Sequence, residues 1–152
     1  MTTLAEAFEN FEREAFRLET LPAYDVPGQE DLTEWHATLD AGRARGAVFR
    51  RVHVVERPLS DYLRWEVEQY KLNARHGEKI RLVEANSTHD VPTDFWLFDR
   101  RHAFDMRYDE GGRFQGVIEV TDPAEVDRRI EAMDQLWEKS VELDAWEPAL
   151  ER

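Results

Sequence analysis

Two amphipathic helices are predicted at the start of the chain. The first covers residues 4–16 and the second residues 29–40, where Gly42 ends it. A connector with two prolines and a glycine separates them. In each segment apolar residues recur at intervals of three or four, as on one face of a helix: Leu4, Phe8, Phe11 and Ala15, then Leu32, Trp35 and Leu39.

A strand, a helix and a second strand follow. Residues 48–55 are rich in β-branched side chains, which predicts a strand. Ser60 caps a helix that ends at Gly77, and residues 79–83 form the next strand. A connection of this length is typical of two parallel strands joined by a right-handed crossover.

Three further strands and a long helix complete the pattern. Residues 95–98, 103–108 and 114–120 are strand segments separated by turn sequences, which predicts an antiparallel meander. Asp122 and Pro123 then open a long helix.

Together these elements predict a single α/β domain over residues 1–152, with α+β as the alternative class. A mixed sheet of about five strands forms its core over residues 47–120, as β-α-β followed by the meander. N-terminal helices in residues 1–42 and a C-terminal helix in residues 122–146 pack on this sheet.

Composition narrows the class of protein. The chain is 41% hydrophobic and 35% charged, which favours a folded domain without membrane-spanning segments. It has no cysteine, so disulfides and thiolate metal sites are excluded. Because residues 1–10 lack the basic and apolar pattern of a secretion signal, we expect a cytoplasmic protein.

The net charge of −13 is the most unusual bulk property. Acids are concentrated in residues 1–40 and 119–152, whereas residues 41–57 carry five bases and one acid. A field of this sign should repel nucleic acid and anionic membranes, and it should attract basic partners. The alternative is that the acidic helices are simply solvated surfaces.

Motifs for known chemistries are missing from the sequence. No glycine-rich loop stands before a helix, as phosphate binding would need, and no histidine spacing matches a zinc site. None of the serines lies in a nucleophile elbow. We therefore predict no catalytic residue, no metal and no cofactor.

Arginines form the one candidate ligand site. Alternation along the strand at residues 48–55 places Arg50 and Arg51 on opposite faces, so one of them points inward and needs a carboxylate partner or a wet strand end. With Arg64 and Glu66 on the following helix, these arginines could bind a small anionic ligand.

An internal salt-bridge network is the alternative use of the same residues. In that interpretation Glu66, Asp94 or Asp99 neutralises the arginines. Asp94 and Asp99 also flank an aromatic strand segment, where a raised carboxyl pKa would suit acid–base catalysis. Asp94 capping the strand entry and Asp99 forming a turn is the simpler explanation.

Several blocks of the sequence resemble an actinobacterial family known as a domain of unknown function. They include AFRLETLPAY at residues 15–24, PLSDYLRWE at 58–66 and DFWLFD at 94–99. Such proteins often occur near helix-turn-helix regulators, so the resemblance implies a regulatory role. It implies no catalytic residues.

The chain also resembles half of a phospholipase-D-like domain, in which a mixed sheet lies between helices. That superfamily's pattern is His, any residue, Lys and a later Asp, whereas His76 and Lys79 stand three residues apart here. The resemblance therefore implies a catalytically silent copy.

Three functions follow as hypotheses. The first is a non-enzymatic regulatory or protein-interaction domain that docks a basic DNA-binding regulator without contacting nucleic acid itself. The second is a sensor for a small anionic ligand at the arginines. The third is a hydrolase-type enzyme that uses Asp94, Asp99 or Glu66.

Overall fold

A computed structural model describes residues 2–88 and 91–146. The predicted domain also includes residues 1, 89–90 and 147–152, which lie outside the described residues. Within the described part, the helices and strands follow one another in this order: α1 (Leu4–Asn10), β1 (Glu14–Glu19), α2 (Thr33–Ala44), β2 (Val48–Val55), α3 (Asp61–Arg75), β3 (Lys79–Glu84), β4 (Phe95–Phe98), β5 (His102–Tyr108), β6 (Phe114–Val120), α4 (Pro123–Lys139), β7 (Val141–Glu142) and α5 (Leu143–Trp146). A short 3-10 turn, Ala85–Ser87, follows β3.

One mixed sheet contains these strands in the order β6-β5-β4-β1-β2-β3-β7. β1, β2 and β3 pair in parallel, and the other neighbours pair antiparallel. The α/β class, the parallel crossover through α3 and the meander β4-β5-β6 are confirmed. The sheet has seven strands among the described residues, so the prediction of about five was too low.

The missed strand β1 lies at the centre of the sheet. It was predicted as the end of a helix over residues 4–16, but α1 stops at Asn10 and the chain extends from Glu14. β1 hydrogen-bonds to β2 on one side and β4 on the other, and its last five residues are buried. A strand buried on both faces shows no alternation of apolar and polar residues, so the periodicity of Phe11 and Ala15 favoured a helix instead.

Two other boundaries differ from prediction. Helix α2 runs from Thr33 to Ala44 and includes Gly42, where an added Cβ would come within 2.5 Å of the Phe49 ring. Close packing against β2, and not the end of a helix, is therefore the role of this glycine. The C-terminal helix ends at Lys139, and the two-residue strand β7 follows it.

The predicted N-terminal caps of α3 and α4 are confirmed. The side chains of Thr3, Ser60 and Asp122 each accept a hydrogen bond from a backbone N–H in the first turn of the following helix. Pro123 stands at the start of α4, where its missing N–H costs nothing. None of the described helices is both long enough and apolar enough to cross a membrane.

The two faces of the sheet are covered differently. On one face, side chains of β1, β2 and β4 pack with α4 into an apolar core that includes Phe16, Val52, Phe95, Leu97 and Met133. On the other face, α1 and α2 cover one apolar cluster, while α3 and α5 cover a second. Between these two clusters lie charged and aromatic side chains.

Candidate functional site

Strand register creates a line of charged side chains on the face covered by α2 and α3. Arg17 on β1 lies opposite Arg51 on β2, and Glu19 lies opposite His53. Residues two apart in a strand share a face, so the four side chains stand together. With three acids from neighbouring elements they form what we call the polar layer: Arg17, Glu19, Arg51, His53, Glu66, Glu78 and Asp94.

Arg51 is held between two carboxylates. Its Nε donates to Glu78 Oε2 at 2.6 Å, and its NH1 donates to Glu19. Glu78 also accepts a hydrogen bond of 3.0 Å from Trp35 Nε1. Burial alone would raise the pKa of Glu19, but the charges of Arg51, His53 and Arg17 outweigh it and lower that pKa to about 2. Glu19 is therefore ionised throughout the neutral range.

Arg17 and Asp94 form a second buried pair. One guanidinium NH2 group lies 3.5 Å from Asp94 Oδ2 and donates to the Tyr108 hydroxyl at 2.8 Å. Asp94 also accepts hydrogen bonds from the Tyr24 hydroxyl and from both the backbone N–H and the hydroxyl of Thr20. This carboxylate thus fastens the segment after β1 onto β4, at the strand entry where a capping role was predicted.

The third group is centred on the Tyr70 hydroxyl. It lies 3.0 Å from Glu19 Oε1 and 2.8 Å from His53 Nδ1, and it also hydrogen-bonds to Glu66. His53 Nε2 lies 2.9 Å from the carbonyl oxygen of Leu21. Since a carbonyl only accepts, Nε2 carries a proton and Nδ1 faces the carboxylates.

The carboxylates around His53 favour its protonated form. Burial disfavours the imidazolium, but contact with Glu66 and the charge of Glu19 outweigh burial and raise the pKa of His53 above its ordinary value. Nδ1 lies 3.3 Å from Glu66 Oε1. For Tyr70, burial and the same two carboxylates raise the pKa of the phenol. Tyr70 therefore remains a neutral hydroxyl that can donate one proton.

Glu19, His53 and Glu66 have the donor types of a transition-metal site. One ligand atom from each lies within 4.8 Å of the others. The Tyr70 hydroxyl, however, already contacts all three residues, and the Arg51 guanidinium is bonded to Glu19. A cation here would have to displace the tyrosine and lie close to the charge of Arg51, so the group fits shared protons better than a metal.

A cavity of about 330 Å³ opens beside the polar layer. It lies between the sheet, α3 and the segment that joins β1 to α2. Glu19, Arg51 and Glu66 are the charged residues in its wall, and Gln29, Gln69 and Asn73 add amides. Most of the remaining wall is aromatic: Tyr24, Trp35, Tyr62, Trp65, Tyr70, Trp96 and Tyr108.

The predicted site residues separate into four places. Arg51, Glu66 and Asp94 belong to the polar layer. Arg64 is exposed on α3. Asp99 lies in the turn between β4 and β5, where its carboxylate accepts hydrogen bonds of 2.7 to 3.0 Å from three backbone N–H groups of residues 12–14. The structure thus places Asp94 and Asp99 at opposite ends of β4.

Arg50 points to the opposite face of the sheet from Arg51. Its guanidinium lies 5.2 Å from the Trp137 ring and 3.8 Å from Glu14, and its buried Nε has no hydrogen-bond partner. Arg81 and Lys79 line the same depression of about 360 Å³. The three arginines predicted to form one site therefore do not meet.

Sequence reasoning missed the residues that β1 contributes. Arg17 and Glu19 lie between the predicted helix and the connector and were assigned to no element, and Tyr24 was assigned to the connector. A signal was present, because two opposite charges at a spacing of two stand among the apolar residues Ala15, Phe16 and Leu18. That spacing places both charges on one face of a strand. Glu78 and Tyr70 carried no local signal.

Comparison with known proteins gives a family and a fold. The family model described as "Domain of unknown function (DUF6879)" matches residues 2–148. NUC, a phospholipase D family member from Salmonella typhimurium, is similar in structure, with a TM-score of 0.58 at 12% identity over 90% of this chain and 85% of that one. The predicted likeness to a phospholipase-D-like domain is thus confirmed for the fold.

Phosphatidylserine synthase from Haemophilus influenzae matches with a TM-score of 0.49 and 9% identity, over 90% of this chain and 35% of that protein. No curated protein matched the sequence.

Proposed function

The chain belongs to the DUF6879 family, and from that premise we propose that it is a non-enzymatic regulatory domain that binds a small molecule in the aromatic cavity. The observation that supports the proposal is the wall of this cavity. Seven aromatic side chains surround a few buried polar groups, and its volume of about 330 Å³ lies in the range of small-ligand sites.

Rigid support of the wall favours binding. Trp35 is fixed by its hydrogen bond to Glu78, and Tyr24 and Tyr70 are fixed by carboxylates of the polar layer. Tyr62 donates a hydrogen bond of 3.2 Å to Gln29 across the cavity entrance. Side chains held in this way lose little freedom when a ligand binds, so less of the binding energy is spent on ordering them.

An unbiased ligand screen tests the proposal. The purified chain is screened against a library of neutral, cationic and anionic metabolites by ligand-observed NMR, and hits are titrated by calorimetry. We expect at least one hit whose affinity falls about tenfold or more in Trp65→Ala, since loss of a large aromatic contact weakens binding strongly. Leu72→Ala is the matched control, because Leu72 lies on the same helix but is 38% exposed and outside the cavity wall. Absence of any hit that depends on Trp65 would contradict the proposal.

Docking of a basic DNA-binding regulator is the second candidate function. Its support is the exposed side of α4 with its N-cap, which presents more acids than bases: Asp122, Asp127, Glu131, Asp134 and Glu138, against Arg128 and Lys139. A negative surface of this kind accelerates association with a basic protein.

The test is binding to a purified basic helix-turn-helix DNA-binding protein. We expect complex formation at 50 mM salt and a weakening of severalfold at 200 mM, because exposed charges are screened. Charge reversal of Glu131 and Glu138 to lysine should weaken the complex, whereas reversal of Glu30, an exposed acid outside α4, should not. Equal effects of the two changes would contradict a surface on α4.

A further inference from the structure

We infer that the cavity takes a small organic cation, namely a protonated or quaternary amine that bears an apolar group, with Glu66 as its counter-charge. This inference rests on the proposed binding function and adds the chemical class of the ligand. The arginines in the sequence predicted an anionic ligand, whereas this inference assigns a cationic one.

Charge balance in the polar layer is the first argument. Four carboxylates face two guanidiniums there, so the layer is negative by two charges with His53 neutral and by one with His53 protonated. Each of these seven side chains is buried or nearly so. Since buried charges need partners, a negative excess of this kind favours a bound positive charge.

Glu66 is the one carboxylate of the polar layer that no guanidinium contacts among the described residues, and His53 is its charged partner only when protonated. Arg51 contacts Glu19 and Glu78, and Arg17 contacts Asp94, so both guanidiniums are committed. Among the described residues, the close partners of Glu66 are the Tyr70 and Tyr62 hydroxyls and His53, and neither tyrosine brings a positive charge. Its side chain keeps 8% exposure and lines the cavity, so a charged group in the cavity can reach it.

The aromatic wall is the second argument. Tyr62 and Trp65 precede Glu66 on α3, with ring centroids 5.5 Å apart, and the Tyr24 ring centroid lies 6.0 Å from that of Tyr62. Ring faces attract cations through their negative quadrupole. Arg51 is the one base in the described cavity wall, so no side-chain cation competes with the ligand at these outer rings.

At the inner wall of the cavity, a protein cation already lies among aromatic rings and carboxylates. The Arg51 guanidinium lies 5.6 to 5.9 Å from the ring centroids of Trp35, Tyr70 and Trp96, and two carboxylates neutralise it. The outer part of the cavity repeats this combination of rings and a carboxylate without a protein cation. A ligand amine would complete it.

A charge series of ligands tests the inference. The full chain is titrated by calorimetry with 2-phenylethylamine, its trimethylammonium derivative, 2-phenylethanol and 3-phenylpropionate. We expect one of the two cations to bind at least tenfold more tightly than the alcohol, and the carboxylate to bind more weakly still. This comparison needs no variant of the protein. A carboxylate or alcohol that binds as tightly as the amines would overturn the cationic class while leaving the cavity a ligand site.

A variant without the Glu66 charge tests whether this residue is the counter-charge of the ligand. Glu66→Gln keeps a hydrogen-bond acceptor for Tyr70 but removes the charge, so amine affinity should fall about tenfold to the level of the alcohol, whose own affinity should not change. Glu68→Gln is the matched control, with the same charge change on an exposed side chain of the same helix. Equal losses in both variants would overturn the role of Glu66. Thermal melts establish that each variant is folded.

Two outcomes separate this inference from the proposed function. If the metabolite screen gives Trp65-dependent hits that are all neutral or anionic, the cationic class is wrong and ligand binding stands. If neither the screen nor the charge series gives binding in the cavity, both fail. A metal ion is the remaining alternative occupant, and titration with Zn²⁺ alone tests it. If Zn²⁺ binds and prevents the amine from binding, the negative excess belongs to a metal site and the inference is overturned.

Discussion

The two faces of the central sheet are built on different physical principles. Under α4 the side chains of β1, β2 and β4 are apolar and buried, and their packing is the stabilising factor. Under α2 and α3, β1 and β2 present charged side chains between two apolar clusters, and each of these charges needs its partner in place. β1 shows both at once, with Phe16 and Leu18 on one face and Arg17 and Glu19 on the other. The aromatic cavity of about 330 Å³ lies beside the charged layer.

The largest expected effect is on the apolar face. Phe95→Ala should lower the free energy of unfolding by about 3–5 kcal/mol, because a fully buried ring is removed and a cavity remains. Urea denaturation measures the change. A loss below about 1 kcal/mol would show that this face can repack and that the contrast between the two faces is overstated.

Removal of a central charge tests the other face. Arg51→Met should cost about 3–5 kcal/mol, since Glu19 and Glu78 lose their shared counter-charge. Adding Glu19→Gln and Glu78→Gln to Arg51→Met should restore most of the stability. Restoration would show that uncompensated charge causes the loss. If the three changes simply add, contacts other than charge pairing determine the stability of this face.

The pH dependence of stability should come from the charged face. The pKa of Glu19 is lowered to about 2, so its contribution is present above pH 4.5 and is lost as pH falls from 4.5 toward 2. The pKa of His53 is raised, so its contribution is present below pH 6.5 and is lost as pH rises through the folded value. With respect to these two groups, stability should be greatest between about pH 4.5 and 6.5.

His53→Gln isolates the alkaline side of this profile. The slope that one group contributes cannot exceed about 1.4 kcal/mol per pH unit. We expect the variant to lose the decrease above pH 6.5, measured by urea denaturation across pH 5 to 9. The exposed His102 is the control, and His102→Gln should leave the profile unchanged. An unchanged profile in His53→Gln would mean that folding does not shift the pKa of His53, which contradicts this prediction.

A pair of helix caps gives the smallest effects. Asp122→Ala and Ser60→Ala should each cost about 1 kcal/mol, because each removes an acceptor for a first-turn N–H. Ser60 also donates a hydrogen bond to the carbonyl of Pro22, in the segment that borders the cavity. Ser60→Ala should therefore weaken ligand binding in addition, whereas Asp122→Ala should not. Equal binding by both variants would show that this segment is held independently of Ser60.

Prediction from the sequence succeeded where a local pattern determines a local structure. β2, α3 and the meander were found because their side-chain period, caps and turn residues all favour one conformation. For the candidate site the sequence supplied Arg51, Glu66 and Asp94, and it required a carboxylate partner for one arginine. It could not identify Glu19 and Glu78 as the partners, since they are distant in sequence from Arg51 and close only through strand pairing.

The sequence by itself therefore determined the α/β class, most of the elements and the excess of acids. The tertiary structure decided that β1 is the central strand, because a strand buried on both faces has no period to read and is recognised only by its neighbours β2 and β4. It also decided which charges meet. The register of β1 against β2 aligns Arg17, Glu19, Arg51 and His53, and this alignment creates the polar layer and the cavity beside it.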